Sequence, residues 1–116
     1  DRSGPRLNSV REVNPDALMI ARSLDGLKPS AARPLAGVPI LLKDNIATGD
    51  KQHTTAGSLA LRDARARDDA TLVKQLRAAG AVILGKANLT EFANILTVDM
   101  PSGYSSVGGQ VKNAYV

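Results

Sequence analysis

Hydrophobic positions along this chain follow two rhythms, and Gly, Pro and Asn mark the breaks between them. Residues 1–8 read as loop, because Ser3-Gly4-Pro5 is turn chemistry. Val10 to Val13 suits a short strand. Asn14-Pro15 predicts a helix start, with Asn as the capping residue and Pro at the first helical position. Ala17, Leu18, Ala21 and Leu24 then recur at helical spacing, and Gly26 supplies the stop. Residues 27–37, with Pro29 and Pro34 inside and Pro39 just beyond, form a linker or surface loop. The run Gly37-Val38-Pro39-Ile40-Leu41-Leu42 is continuously apolar, which predicts a strand covered on both faces. It ends in three polar residues, Lys43-Asp44-Asn45. Residues 47–56 read as loop, and Ser58 to Leu61 as a short helical turn. Asp68 or Asp69 is expected to cap a helix whose Leu72, Val73, Leu76 and Ala79 share one face, with Gly80 as terminator. Ala81-Val82-Ile83-Leu84 is a second strand of the buried type. Asn88, followed three residues later by Glu91, resembles a capping box and predicts a helix through Asn94. From Thr97 onward Gly, Ser, Asn and Pro dominate, which predicts loop. There is no internal repeat.

Strand, helix, strand, helix is the order of an α/β layer, so the fold class expected is α/β, part of a central sheet flanked by helices. Two or three strands are few, because sheets average about five or six. Fully buried strands need neighbours, so the chain is expected to be part of something larger. It begins Asp1-Arg2-Ser3, without Met or an apolar leader, and no targeting segment is visible. Either something was removed upstream or the chain is a piece of a longer one, and cytoplasmic and secreted locations both stay open.

Composition narrows the function classes. At 116 residues there is room for one domain and no second sizeable core. Aromatic residues are only Phe92, Tyr104 and Tyr115, so the core must be built from Leu, Ile, Val and Ala. So few aromatics also leave nothing for bases to stack on. The net charge of +4 is spread over fifteen cations interspersed with eleven acids, as in Arg62-Asp63-Ala64-Arg65-Ala66-Arg67-Asp68-Asp69. Mixed signs of that kind read as a solvated surface, not a nucleic-acid footprint. Without cysteine there is no disulfide framework, thiolate metal site or Cys nucleophile. The apolar runs fall far short of the ~20 residues that a membrane span needs.

Lys43 is the sharpest chemical candidate. It ends a buried-type strand, where open α/β sheets place their ligand clefts. Partial desolvation there would lower its pKa and make it a base, and the alternative is an amine that simply reaches solvent. Asp44 should point to the opposite side of the strand end and is read as structural, with Asn45 as the loop-anchoring polar group. Gly80-Ala81-Val82-Ile83-Leu84-Gly85-Lys86-Ala87 nearly matches a phosphate-binding loop. It fails because Ala87 has no hydroxyl for magnesium and the middle residues are strand-like. Lys86 and Asn88 are therefore read as a surface and a cap residue. His53, the one histidine, rules out a His-based metal cluster and is read as a solvated side chain. Glu91 and Asp99 are too isolated to form a carboxylate pair.

Four stretches in order resemble the amidase signature family: Pro34 to Ile46 around Lys43, Thr54-Thr55-Ala56-Gly57-Ser58, Leu76 through Glu91, and Ser102 to Gln110. Together they cover nearly the whole chain, and the likeness is greatest to peptide amidases and related bacterial and fungal amidases. The resemblance implies the mixed central sheet of that fold, incomplete here, and a Ser–Ser–Lys triad. In such a triad one serine attacks the amide carbonyl and a second, held in a cis peptide, relays protons to the lysine. Backbone N–H groups bind the oxyanion. Only the lysine role maps onto this chain, onto Lys43. The family's relay serine follows a Gly-Gly pair, whereas here Ser105-Ser106 precede Gly108-Gly109. Ser105 and Ser106 are thus read as loop-bonding hydroxyls. Residues 1–116 are expected to be the N-terminal part of one amidase signature domain that stops before the catalytic serines. Ala114 stands where many relatives have Pro, which loosens that loop and touches no catalytic position. The implied partners are a small amide or peptide-amide substrate and the rest of the domain, on the same or a separate chain. No cofactor, metal, nucleic acid or membrane is implied. The alternatives are a non-catalytic fragment acting as scaffold or as half of a split enzyme, and a small nucleotide-binding domain resting on the defective phosphate loop.

Overall fold

The computed structural model describes residues 3–96 and 98–115. In chain order its elements are strand β1 (Val10–Val13), helix α1 (Ala17–Ser23), strand β2 (Pro39–Lys43), helix α2 (Thr71–Ala78) and strand β3 (Val82–Ala87), then the two-residue strands β4 (Tyr104–Ser105) and β5 (Gly109–Gln110). Short 3-10 turns lie at Leu59–Leu61 and Glu91–Asn94. Among the described residues three strands form one sheet in the order β1-β3-β2, and β4 and β5 form a separate ladder. β2 runs parallel to β3 and β1 antiparallel to it, so the sheet is mixed and the class is α/β. Parallel neighbours need a crossover, and the segment containing α2 supplies it. The core lies under that crossover: Leu42, Val73 and Ile83 are buried, with Ile40, Ile46, Ala70 and Leu76 packed against them.

β3 is irregular in a way that decides which side chains face this core. Ile40 pairs with Ile83, but Leu41 pairs with Gly85, so β3 carries one extra residue at Leu84. Side chains alternate along a regular strand, and a bulge resets the alternation. Ile83 and Lys86, three residues apart, therefore share the face of Ile40 and Leu42. Gly85 is required at this point, because a Cβ there would overlap the backbone carbonyl oxygen of Glu12 on β1.

Several expectations need correction. β2 is not covered on both faces: only Leu42 is buried, and Leu41 is 42% exposed. Among the described residues β2 is an edge strand, and α2 covers one side of it. α1 begins at Ala17, later than expected; Asn14 Oδ1 accepts from Asp16 N at 3.0 Å in the turn before it, while its amide nitrogen donates to Ile83 O at 2.8 Å. α2 is capped by neither Asp68 nor Asp69; Ala70 precedes it, and the Asp69 carboxylate accepts from Gly49 N and Arg77 Nε. The helix expected from Asn88 to Asn94 is a 3-10 turn in which Phe92 and Ala93 have φ of 47° and 56°. Left-handed backbone cannot continue a right-handed helix. The stretch from Thr97 onward is not all loop, since it contains β4 and β5.

Candidate functional site

Lys43 is the last residue of β2. Its carbonyl accepts from Ile46 N at 2.9 Å in a tight turn, and Asp44 N donates to Ala87 O at 3.1 Å, so the strand end is fixed on both sides. Alternation turns the Lys43 side chain away from the α2 core, and it is exposed, where partial burial was expected. The same alternation turns Asp44 to the opposite side, as expected, and there it is fully buried.

Asp44, and not Asn45, anchors the loop that follows. Arg11 Nε lies 2.7 Å from Asp44 Oδ2, and Thr55 donates to the same carboxylate through its hydroxyl and, at 3.4 Å, through its backbone N–H. Asn45 is exposed. Arg11 also pairs with Glu12 Oε2 at 2.5 Å and donates to His53 O at 3.2 Å. Glu12 accepts from His53 N at 2.9 Å, and its other oxygen lies 2.9 Å from His53 Nδ1. His53 is thus half-buried and engaged, not solvated. Arg65 Nε, a donor only, approaches His53 Nε2 at 3.3 Å, which leaves the ring proton on Nδ1 facing Glu12. Burial opposes ionisation of Glu12, but the His53 and Arg11 hydrogen bonds outweigh it and hold the carboxyl below its ordinary value.

Lys86 is the largest correction. Read from the sequence as a surface residue, it is completely buried. Its ammonium donates to Ile46 O at 2.6 Å and to Thr54 Oγ1 at 3.2 Å. Burial lowers its pKa, and the nearby Asp44 and Asp50 carboxylates partly offset that. Asp50 accepts from Gln52 N and from Arg77 Nη2, at 2.9 and 2.6 Å. Ala70 N donates to Ala47 O at 3.0 Å. Segment 44–57 is therefore irregular but tied at many points to β1, β3 and α2.

Ser105 and Ser106 bond within the loops, as read. Ser105 Oγ donates to Asn88 Oδ1 at 2.7 Å and accepts from Gly108 N at 3.0 Å. Ser106 Oγ accepts from Leu59 N at 3.0 Å. Asn88 is no helix cap but a hub, whose amide also donates to Asn8 O and Gly109 O. A groove of about 530 Å³ lies at the other end of β2 and β3, lined by Val13, Ala17, Leu18, Pro39, Val82 and Leu84 among others. No ionisable side chain lines it, so it offers no acid–base chemistry. Among the described residues no group of His, Cys, Asp or Glu could hold a metal ion, and no helix is long and apolar enough to cross a membrane.

What this arrangement can do is present a primary amine on a rigid strand end, above a buried floor of paired charges. Comparison with known proteins gives that amine a context. A family model described as Amidase matches residues 1–116. A probable amidase of Arabidopsis thaliana is 51% identical, over 97% of this chain and 23% of the relative. The native peptide amidase from Stenotrophomonas maltophilia superposes with a TM-score of 0.89 at 51% identity, covering all of this chain and 24% of that one. An amidase family protein from Bacillus anthracis gives a TM-score of 0.92 at 46% identity, again over the whole of this chain and 23% of the other. The chain thus spans about a quarter of the length of the proteins it matches.

Proposed function

Because this chain belongs to the amidase family, we propose that it carries the lysine base of a serine amidase, with Lys43 in that role. The reaction is hydrolysis of a C–N amide bond, on small amides or C-terminal peptide amides. The likeness to a peptide amidase supports the peptide-amide reading. A serine hydroxyl is a weak nucleophile until a base takes its proton. In this reading the neutral Lys43 amine receives that proton through a relay serine and returns it to the leaving nitrogen. Backbone N–H groups stabilise the oxyanion of the tetrahedral intermediate. Both serines are expected on sequence outside residues 1–116, so the isolated 116-residue polypeptide should not hydrolyse amides. The observation that carries the proposal is the placement of Lys43 at the C-terminal end of a parallel strand, with its backbone fixed and its amine free to reach a neighbour.

Lys43→Ala in the full-length protein tests it, with ammonia release from a simple amide and from a peptide amide as the readout. General-base catalysis contributes on the order of 10²–10⁴-fold, so kcat should fall by that much while the melting temperature stays near wild type. Undiminished turnover would remove Lys43 from the mechanism.

A further inference from the structure

We propose that Lys86 is a positioning residue for Lys43, its buried ammonium clamping the turn on which Lys43 ends its strand. The inference rests on Lys43 being the base, as proposed above.

The connection is short and runs through hydrogen bonds. Ile46 N donates to Lys43 O at 2.9 Å, and the carbonyl of the same Ile46 accepts from Lys86 Nζ at 2.6 Å. One peptide separates the clamp from the backbone it holds. The second acceptor, Thr54 Oγ1, lies at the far end of the loop, so Lys86 ties both limbs of segment 44–54 together. Thr54 is followed by Thr55, whose hydroxyl donates to Asp44, the residue after Lys43. Lys86 and the Arg11–Asp44 pair therefore grip the same strand end through different atoms.

The β3 bulge makes this possible. It puts Lys86 on the buried face opposite Leu42, while Lys43 faces the other way opposite Ala87. Lys86 is thus behind Lys43 and cannot share its role at the reacting atoms. Burying an ammonium is unfavourable unless its donors are satisfied. A Met of similar length would fill the same space without that cost but could not donate to Ile46 O. What an amine adds at this position is a donated hydrogen bond to a carbonyl that, among the described residues, no backbone N–H reaches. Placement of a reacting group matters steeply, since a shift of about 1 Å can cost on the order of 10²-fold in rate.

The test compares Lys43→Ala, Lys86→Met, Lys86→Arg and Thr54→Val in the full-length protein, with kcat and KM for a simple amide measured beside the melting temperature. Lys86→Met should lower kcat about 10- to 100-fold with KM changed less than about twofold, because substrate binding stays intact while the base is misplaced. Lys86→Arg, which keeps donors at the site, should recover part of that loss. Thr54→Val removes one acceptor without changing charge and should lower kcat several-fold. It decides the matter if Lys86→Met does not fold. Wild-type kcat in Lys86→Met, or in Thr54→Val where Lys86→Met is unfolded, would overturn the positioning role while an inactive Lys43→Ala left the base assignment standing. Full activity in Lys43→Ala would overturn both.

Discussion

Arg11 and Asp44 meet where almost no water reaches, with side-chain exposures of 8% and 0%. A buried pair adds little over a well-packed apolar pair, but removing one partner strands the other charge. Arg11→Met should therefore lower the unfolding free energy by about 3–5 kcal/mol, read from urea denaturation of the full-length protein. Adding Asp44→Asn should return part of that loss, because the two residues share one interaction and their effects do not add. A loss below about 1 kcal/mol in the single variant would place the pair with screened surface bridges. Lys43 and Asp44 show how far single residues were legible. Opposite orientation of neighbours on a strand end followed from alternation alone, and it holds. Alternation could not have placed Lys86, because steps of two from Val82 put it on the face of Leu84, and the bulge that reverses this depends on β1 and β2 being alongside.

At the scale of elements the β3 bulge is the controlling feature, and Gly85 permits it. In Gly85→Ala the added methyl meets the Glu12 carbonyl, so β1 must move or detach. Faster amide hydrogen exchange is expected at Asn14, whose N–H donates to Leu84 O at 2.9 Å, with a lowered melting temperature. Unchanged exchange there would mean that β1 accommodates the methyl without moving. The existence and order of β1, α1, β2, α2 and β3 were readable from apolar spacing and from Gly and Pro punctuation. Their caps were not. Asp69 carries the right side chain for capping, yet it is engaged by partners distant in sequence, Gly49 and Arg77, and Asn14 divides its amide between Asp16 N, two residues on, and the distant Ile83 O. The capping-box pattern at Asn88 failed likewise, because Ser105, Asn8 and Gly109 all compete for that amide.

Across the whole molecule, carboxylates join elements that the chain keeps apart: Glu12 links β1 to His53, and Asp50 links the loop after β2 to Arg77 of α2. For each, burial works against ionisation, but hydrogen bonds from His53 and Arg11, and from Gln52 and Arg77, dominate and lower the pKa from the ordinary 4.5 and 3.8. The folded state then binds fewer protons than the unfolded one just below those values. Their stabilisation is complete above about pH 4.5 and is lost as the pH falls through the folded pKa values. Lys86 acts at the other end of the scale. Burial lowers its pKa from 10.5, so the folded state again binds fewer protons, and stability should rise with pH from the folded pKa towards 10.5. Urea midpoints measured against pH should show the acid-side loss in wild type and in Lys86→Met, and the alkaline rise in wild type alone. An alkaline rise that survives Lys86→Met would have another source.

The α/β class, the strand that ends in Lys43, the family likeness and the opposite orientation of Lys43 and Asp44 were all set by local pattern, because alternation, apolar runs and turn residues act over a few positions of chain. Which charges are buried was not. The grip of Arg11 on Asp44, of Glu12 on His53 and of Lys86 on Ile46 and Thr54 joins residues 32 to 41 positions apart. The half-covered state of β2 likewise depends on what lies beside it. Such partners are chosen when the strands dock and one extra residue in β3 resets its faces, and no window of sequence short enough to read contains both sides of those contacts.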